Sequence, residues 1–215
     1  MKSFIKKAVT LAALASLCVF AAGCGSSDNN SKSASSDKKE VTVGVTPGIH
    51  AEIMEQVKKE AAKQGITIKI MEFSDYVTPD VALSNKEIDM NSYQHKPYMD
   101  NLVKDKGLKI VSIGQTVVAP IGLYSHKIKS LDEVKDGMTV AVPNDPTNGA
   151  RGLLLLQKAG FIKIKDGVKY PTPQDITDNP KHLQIKELEA AQIPRSLDDV
   201  DFAAINTNYA MEDRK

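Results

Sequence analysis

From Val41 onward the chain switches repeatedly between two hydrophobic periods, and this switching limits the folds open to it. In Val41-Thr-Val-Gly-Val-Thr46 apolar side chains occupy every second position, the pattern of a strand. Ile49, Ile53, Val57 and Ala61 then recur at four-residue spacing with Glu52, Lys58 and Glu60 opposite, so a helix is expected before Gly65. Ile66, Ile68 and Ile70 return to period two. Thr78 as N-cap and Pro79 as first helical residue predict a short helix through Leu83. Ile88 to Tyr93 reads as a strand, Pro97 to Lys106 as a helix ended by Gly107, and Leu108 to Val118 as a further strand. Such alternation predicts an α/β fold with a mainly parallel sheet covered by helices on both faces.

Ala119-Pro120 interrupts the last of these strands, because proline cannot donate to a ladder, and a topological break is expected there. Residues 41–119 then form one lobe and residues 120–203 a second, with 204–215 returning towards the first. In the second lobe Ser130-Leu-Asp-Glu133 has the form of a capping box, with Gly137 closing the short helix it opens. Met138 to Val142 is the next strand, and Asp145 with Pro146 opens a helix that carries Leu153 to Leu156 before Gly160. Leu183 to Leu188 and Phe202 to Ile205 supply two more strands.

The first 24 residues differ in kind. Lys2, Lys6 and Lys7 precede an apolar run from Ala8 to Ala22, so residues 1–23 read as a signal peptide. The run is shorter than the about 20 apolar residues of a membrane span. Ala21-Ala22-Gly23-Cys24 resembles a bacterial lipobox, with Cys24 as the lipidated first residue of the mature chain. That implies a protein lipid-anchored at the cell membrane, outside the cytoplasm; an idle cysteine after an ordinary signal peptide is the competing reading. Residues 24–40, rich in Ser and poor in apolar side chains, form a flexible tether. Both cysteines, Cys18 and Cys24, lie in the signal peptide and at the first residue of the tether, which excludes disulfides, cysteine catalysis and cysteine-bound zinc from the folded part. The formal charge of +1 comes from 28 Lys and Arg against 27 Asp and Glu. Removing the three signal lysines leaves 25 against 27, a net −2 that argues against nucleic acid as a partner.

Several stretches occur together and in order: Phe73-Ser-Asp-Tyr76, Gln94-His-Lys-Pro-Tyr98, Gly122-Leu-Tyr124, Pro143-Asn-Asp-Pro-Thr-Asn148, Glu187-Leu-Glu-Ala-Ala-Gln192, Leu197-Asp-Asp-Val200 and Ile205-Asn-Thr-Asn-Tyr-Ala210. With them the chain closely resembles the NlpA family of substrate-binding lipoproteins from Val41 to Ala210. The resemblance implies a two-lobe, type II periplasmic-binding-protein fold in a monomer. It further implies delivery of L- or D-methionine to the membrane permease and ATPase of an ABC importer. Family sequences continue past Asn-Tyr-Ala to complete the first lobe, whereas this sequence stops at Met211-Glu-Asp-Arg-Lys215, so a truncated first lobe is expected.

A zwitterion needs a cation for its carboxylate, acceptors for its ammonium and a slot for its side chain. Arg151 lies three residues after Asn148, on the same helix face and near a helix N-terminus that favours anions. Its guanidinium can grip a carboxylate through two parallel bonds, and the resemblance places the family's carboxylate-binding arginine here. A surface arginine paired with some acid is the alternative. Gly149-Ala150 and Gly152 depart from the family's usual residues, and Gly152 is expected to loosen the helix by up to about 1 kcal/mol. Tyr76, Tyr93, His95 and Tyr98 match family contact positions and would wall a thioether slot through sulfur–aromatic contacts. Core packing is the competing reading for Tyr93, where the family usually has Phe. Asn206 matches the contact to the amino-acid backbone, and its amide can serve both carboxylate and ammonium. Asn208 is either a second contact or a turn residue. Asn144 and Asp145 are better explained as helix-start chemistry.

His50, His95, His126 and His182 show no ligand spacing, so no metal is expected, and no cofactor either. No serine elbow, P-loop or cysteine nucleophile supports an enzyme. A Met-containing dipeptide or another apolar amino acid in the same fold remains open, as does a truncated surface lipoprotein without a competent pocket.

Overall fold

Residues 39–212 are described in a computed structural model of the chain. The signal peptide, Cys24, the tether up to residue 38 and the last three residues lie outside the described residues. Among those described, no helix is long and apolar enough to cross a membrane.

The first sheet is built from β1 (Glu40–Val45), β2 (Thr67–Glu72) and β3 (Met90–Asn91). β1 is central and pairs parallel with both neighbours, Val43 standing opposite Ile70 on one side and Met90 on the other. Its helices are α1 (Ile49–Lys63), α2 (Thr78–Ser84) and α3 (Lys96–Lys106). Val43, Val45 and Ile68 pack with Met54 of α1 in a small core. Glu40, expected in the tether, is the first residue of β1 and faces Thr67.

A second sheet contains β4 (Ile121–Tyr124), β5 (Thr139–Pro143), β8 (Gln184–Leu188) and β9 (Phe202–Asn206) in the order β4-β9-β5-β8. β5 runs parallel to β8 and β9, while β4 is antiparallel to β9. A separate antiparallel ribbon pairs β6 (Lys163–Ile164) with β7 (Ile176–Asp178). Alternation along β5 divides the packing between two faces. Val140 and Val142 join Leu153 and Leu156 of α4 (Pro146–Lys158) in one core, with Phe161 and Phe202. Ala141 joins Ile193, Val200 and Tyr209 in the other. The chain then enters α5 (Thr207–Glu212), which packs against α1. The α/β class expected from sequence is the class observed, with a three-stranded and a four-stranded main sheet.

Several local expectations change. Thr78 is the first helical residue rather than the cap; the Asp75 carboxylate accepts from the backbone N–H groups of Val77 and Thr78, both at 2.7 Å. The Ser130 box does not form: Leu131–Glu133 is a single 3₁₀ turn without a side-chain cap, and Glu133 instead accepts from Lys129 N at 3.2 Å. The strand expected over 88–93 contracts to Met90–Asn91, although Asp89 N and Ser92 N still donate to β1. Residues 108–118 belong to no strand. Strand propensity favours an extended chain, but a ladder needs a neighbour, and among the described residues none lies alongside. Val111, Ile113 and Val118 are accordingly 78%, 79% and 93% exposed.

Asp145 caps α4 as expected, accepting from the N–H groups of Thr147 and Asn148. Gly149 and Gly152 have a packing reason that sequence did not show. A Cβ at Gly149 would stand 2.6 Å from Pro143 O, and one at Gly152 would stand 3.2 Å from Val142 and 3.3 Å from Ala204. The two glycines let α4 lie close upon β5 and β9, and any loss in helix propensity is set against that approach.

Gly48 is the strictest backbone position. It precedes α1 with φ 78°, and a Cβ there would collide with the carbonyl oxygen of Asn208. Gly48→Ala is expected to lower unfolding free energy by about 1–3 kcal/mol through strain and collision together. Urea denaturation followed by circular dichroism measures this, and an unchanged midpoint would refute it.

Candidate functional site

Four aromatic residues gather where the first sheet hands over to its helices. Tyr76 lies in the loop before α2, Tyr93 two residues after β3, His95 at the start of α3, and Tyr98 within α3. The Tyr76 ring is 5.9 Å from Tyr93 at 28° and 5.8 Å from Tyr98 at 69°. Tyr93 and Tyr98 stand 6.5 Å apart edge to face, and His95 lies 6.3 Å from Tyr98. Such stacked and edge-on pairs are favoured by the ring quadrupoles. The Tyr93 hydroxyl donates to Tyr76 O at 2.5 Å, so this buried phenol also ties the wall together.

A polar group gathers at the N-terminal end of α4. Asp145 accepts from Asn148 Nδ2 at 2.9 Å, which turns Asn148 Oδ1 the other way. That oxygen accepts from Arg151 Nη1 at 3.0 Å and from Asn206 Nδ2 at 2.9 Å. Arg151 Nη2 donates to Ala119 O at 2.8 Å. Asp145 is therefore both the cap of α4 and the group that orients Asn148.

Tyr76 donates its hydroxyl to Asn208 Oδ1 at 2.6 Å and lies close enough to Arg151 and Asp145 for both charges to act on it, so it stands between the two groups. All eight residues singled out from sequence thus share one neighbourhood. Sequence reasoning missed Tyr209, whose ring lies 5.0 Å from Tyr76 and whose hydroxyl donates to Ser74 O at 3.2 Å. Its only signal was its place beside Asn208 in the Asn-Thr-Asn-Tyr stretch. A cavity of about 80 Å³ opens here, lined by Tyr76, Tyr98, Asp145, Glu189 and Tyr209 among others.

The charges are unevenly matched. Arg151 has no ion pair among the described residues; burial lowers its pKa, while Tyr76 and Asp145 act in the opposite direction. Burial pushes the phenols of Tyr76, Tyr93, Tyr98 and Tyr209 up, so the wall is uncharged. Burial, and then the Arg151 charge, holds His95 below the ordinary imidazole range. Asn206 Oδ1 and Asn208 Nδ2 are buried without a hydrogen-bond partner. One cation, one free acceptor, one free donor and an aromatic wall suit a small zwitterion with an apolar side chain. Among the described residues no three His, Cys, Asp or Glu side chains are grouped to hold a metal.

Two α/β sheets with such a site between their helices are the architecture of periplasmic substrate-binding proteins. The NlpA lipoprotein family profile matches residues 41–215, and the chain belongs to that family. The D-methionine-binding lipoprotein MetQ of Salmonella typhi is 53% identical over 195 residues, which span 89% of this chain and 69% of the relative. A crystal structure of the methionine-binding protein MetQ superposes with a TM-score of 0.79 at 53% identity, covering 81% of this chain and 73% of the other. A nutrient-binding protein from Burkholderia cenocepacia bound to methionine gives 0.77 at 49% identity, covering 81% and 74%.

The lowered pKa of His95 has a consequence for stability. As pH falls, the unfolded chain takes up this proton first, so its contribution is complete above about pH 6.5 and is lost as pH falls through the ordinary imidazole value towards the lower folded one. Urea midpoints between about pH 7 and pH 5 should fall less steeply in His95→Gln than in the unmodified protein. Equal slopes would remove His95 from the account.

Proposed function

We propose that this protein is a lipid-anchored substrate-binding protein that takes up methionine between two lobes and delivers it to the permease and ATPase of an ABC importer. The lobes are residues 41–119 and 120–203, with 204–215 returning towards the first, and Cys24 carries the lipid that keeps the protein at the membrane outside the cytoplasm. The observation that carries this reading is Arg151, a partly buried guanidinium whose protein partners are a carbonyl and an amide oxygen rather than an acid. A ligand carboxylate supplies the missing counter-charge through charge-assisted bonds. Asn206 Oδ1 accepts from the ligand ammonium, Asn208 Nδ2 donates to its carboxylate, and the thioether lies against Tyr76, Tyr93, His95 and Tyr98.

The names of the relatives and the methionine-bound neighbour support this ligand. Their role as binding proteins supports binding without catalysis. Contacts from both lobes to one ligand favour the closed form by their differential free energy, which gives the importer two forms to distinguish.

Arg151→Ala should weaken L-methionine at least about a hundredfold in calorimetry while circular dichroism shows an intact fold. Retained affinity would sink the carboxylate assignment. Tyr98→Ala should weaken methionine more than alanine, since only methionine fills the slot; equal losses would refute the wall's role. A thermal-shift panel of D- and L-methionine, leucine and Met-containing dipeptides tests the ligand class, and a greater shift with a dipeptide would replace methionine.

A further inference from the structure

Behind the aromatic wall lies a carboxylate that the binding reading does not use. Asp80, in the first turn of α2, is 0% exposed, and no cation pairs with it among the described residues. An unpaired buried acid is costly, so its hydrogen bonds matter more than those of a surface group. Both bonds reach one oxygen: Oδ1 accepts from Asn91 Nδ2 at 2.7 Å and from Gln94 Nε2 at 2.5 Å, while Oδ2 has no partner. Burial raises the Asp80 pKa, and the bonds from Asn91 and Gln94 together with Tyr93 oppose the rise.

The two donors bracket Tyr93. Asn91 ends β3, Gln94 directly precedes His95, and Asn91 Nδ2 also reaches Pro79 O at 3.3 Å. Tyr93 itself donates to Tyr76 O. The segment from Asn91 to Gln94 is thus tied at three residues to the Tyr76–Asp80 stretch, and two of those ties converge on one carboxylate oxygen.

We propose that Asp80 is a positioning residue of the ligand site: its Oδ1 clamps Asn91 and Gln94 and so holds Tyr93 and His95 in the aromatic wall. It touches no ligand itself, and its effect on affinity rests on the methionine reading above. An asparagine here keeps an oxygen able to accept both bonds, whereas leucine of similar size keeps none.

The test uses the full chain in three forms: unmodified, Asp80→Asn and Asp80→Leu. Calorimetry measures L-methionine and L-alanine binding, and near-ultraviolet circular dichroism reads the wall, because a chain with six Tyr and no Trp has a tyrosine-dominated signal. Asp80→Asn should bind methionine within about threefold of the unmodified protein with its tyrosine signal intact. Asp80→Leu should lose at least about tenfold in methionine affinity, less in alanine affinity, and part of the tyrosine signal while still unfolding cooperatively in urea. Unchanged affinity and signal in Asp80→Leu would overturn the proposal, as would equal losses for methionine and alanine. If Asp80→Leu does not fold, Gln94→Met removes one of the two donors, and an unchanged tyrosine signal there would overturn it equally. If the unmodified protein binds no methionine, the functional reading fails by itself. The tyrosine signal then decides the clamp, its loss in Asp80→Leu alone supporting it and its persistence refuting it.

Discussion

The arrangement around Arg151 depends on the Asn148 side-chain amide, which lets a partly buried guanidinium stand without a protein counter-charge. A buried cation is unfavourable unless its N–H groups are satisfied and an opposite charge is within reach. Asp145 settles the first requirement indirectly. By accepting from Asn148 Nδ2 it turns Asn148 Oδ1 towards both Arg151 and Asn206. Asn206 donates its Nδ2 to that oxygen, and its own Oδ1 is buried without a partner. One helix cap therefore propagates through an amide to both the guanidinium of Arg151 and the side chain of Asn206.

The aromatic wall obeys the same economy. Tyr76 is stacked on Tyr93, edge-on to Tyr98 and tilted against Tyr209, and its hydroxyl crosses to Asn208. It is the residue through which the first sheet's aromatics meet the end of β9. Gly48 makes the second approach at this place, since any side chain there would displace Asn208. The helical entry to α1 and the Asn208 backbone after β9 are consequently a single packing problem. A change at Gly48 should be felt at Asn208 although the two are far apart in sequence.

Much of this was legible in the chain itself where the signal was local. The Asp145-Pro146 start of α4, the Gly107 stop of α3 and the period-two runs of β1 and β2 depend on residues within a few positions of one another. Six of the eight residues singled out, Tyr76, His95, Tyr98, Asn148, Asn206 and Asn208, lie within the ordered stretches that resemble the NlpA lipoproteins, and Tyr93 and Arg151 lie just outside them. The less successful expectations share a cause. Residues 108–118 have strand chemistry but no neighbour among the described residues, and Ser130 has cap chemistry without the geometry to use it.

By itself the sequence determined the α/β class, most helices and strands, and which aromatic, amide and guanidinium side chains to look for together. Only the tertiary structure decided which strands pair, why Gly149 and Gly152 are small, and that Asp145 and Tyr209 line the cavity beside Tyr76 and Tyr98. The physical reason is range: hydrophobic period and capping are settled within one or two turns of chain. Strand pairing and the satisfaction of buried polar groups join residues as far apart as Tyr76 and Asn208, and no local pattern records such a contact.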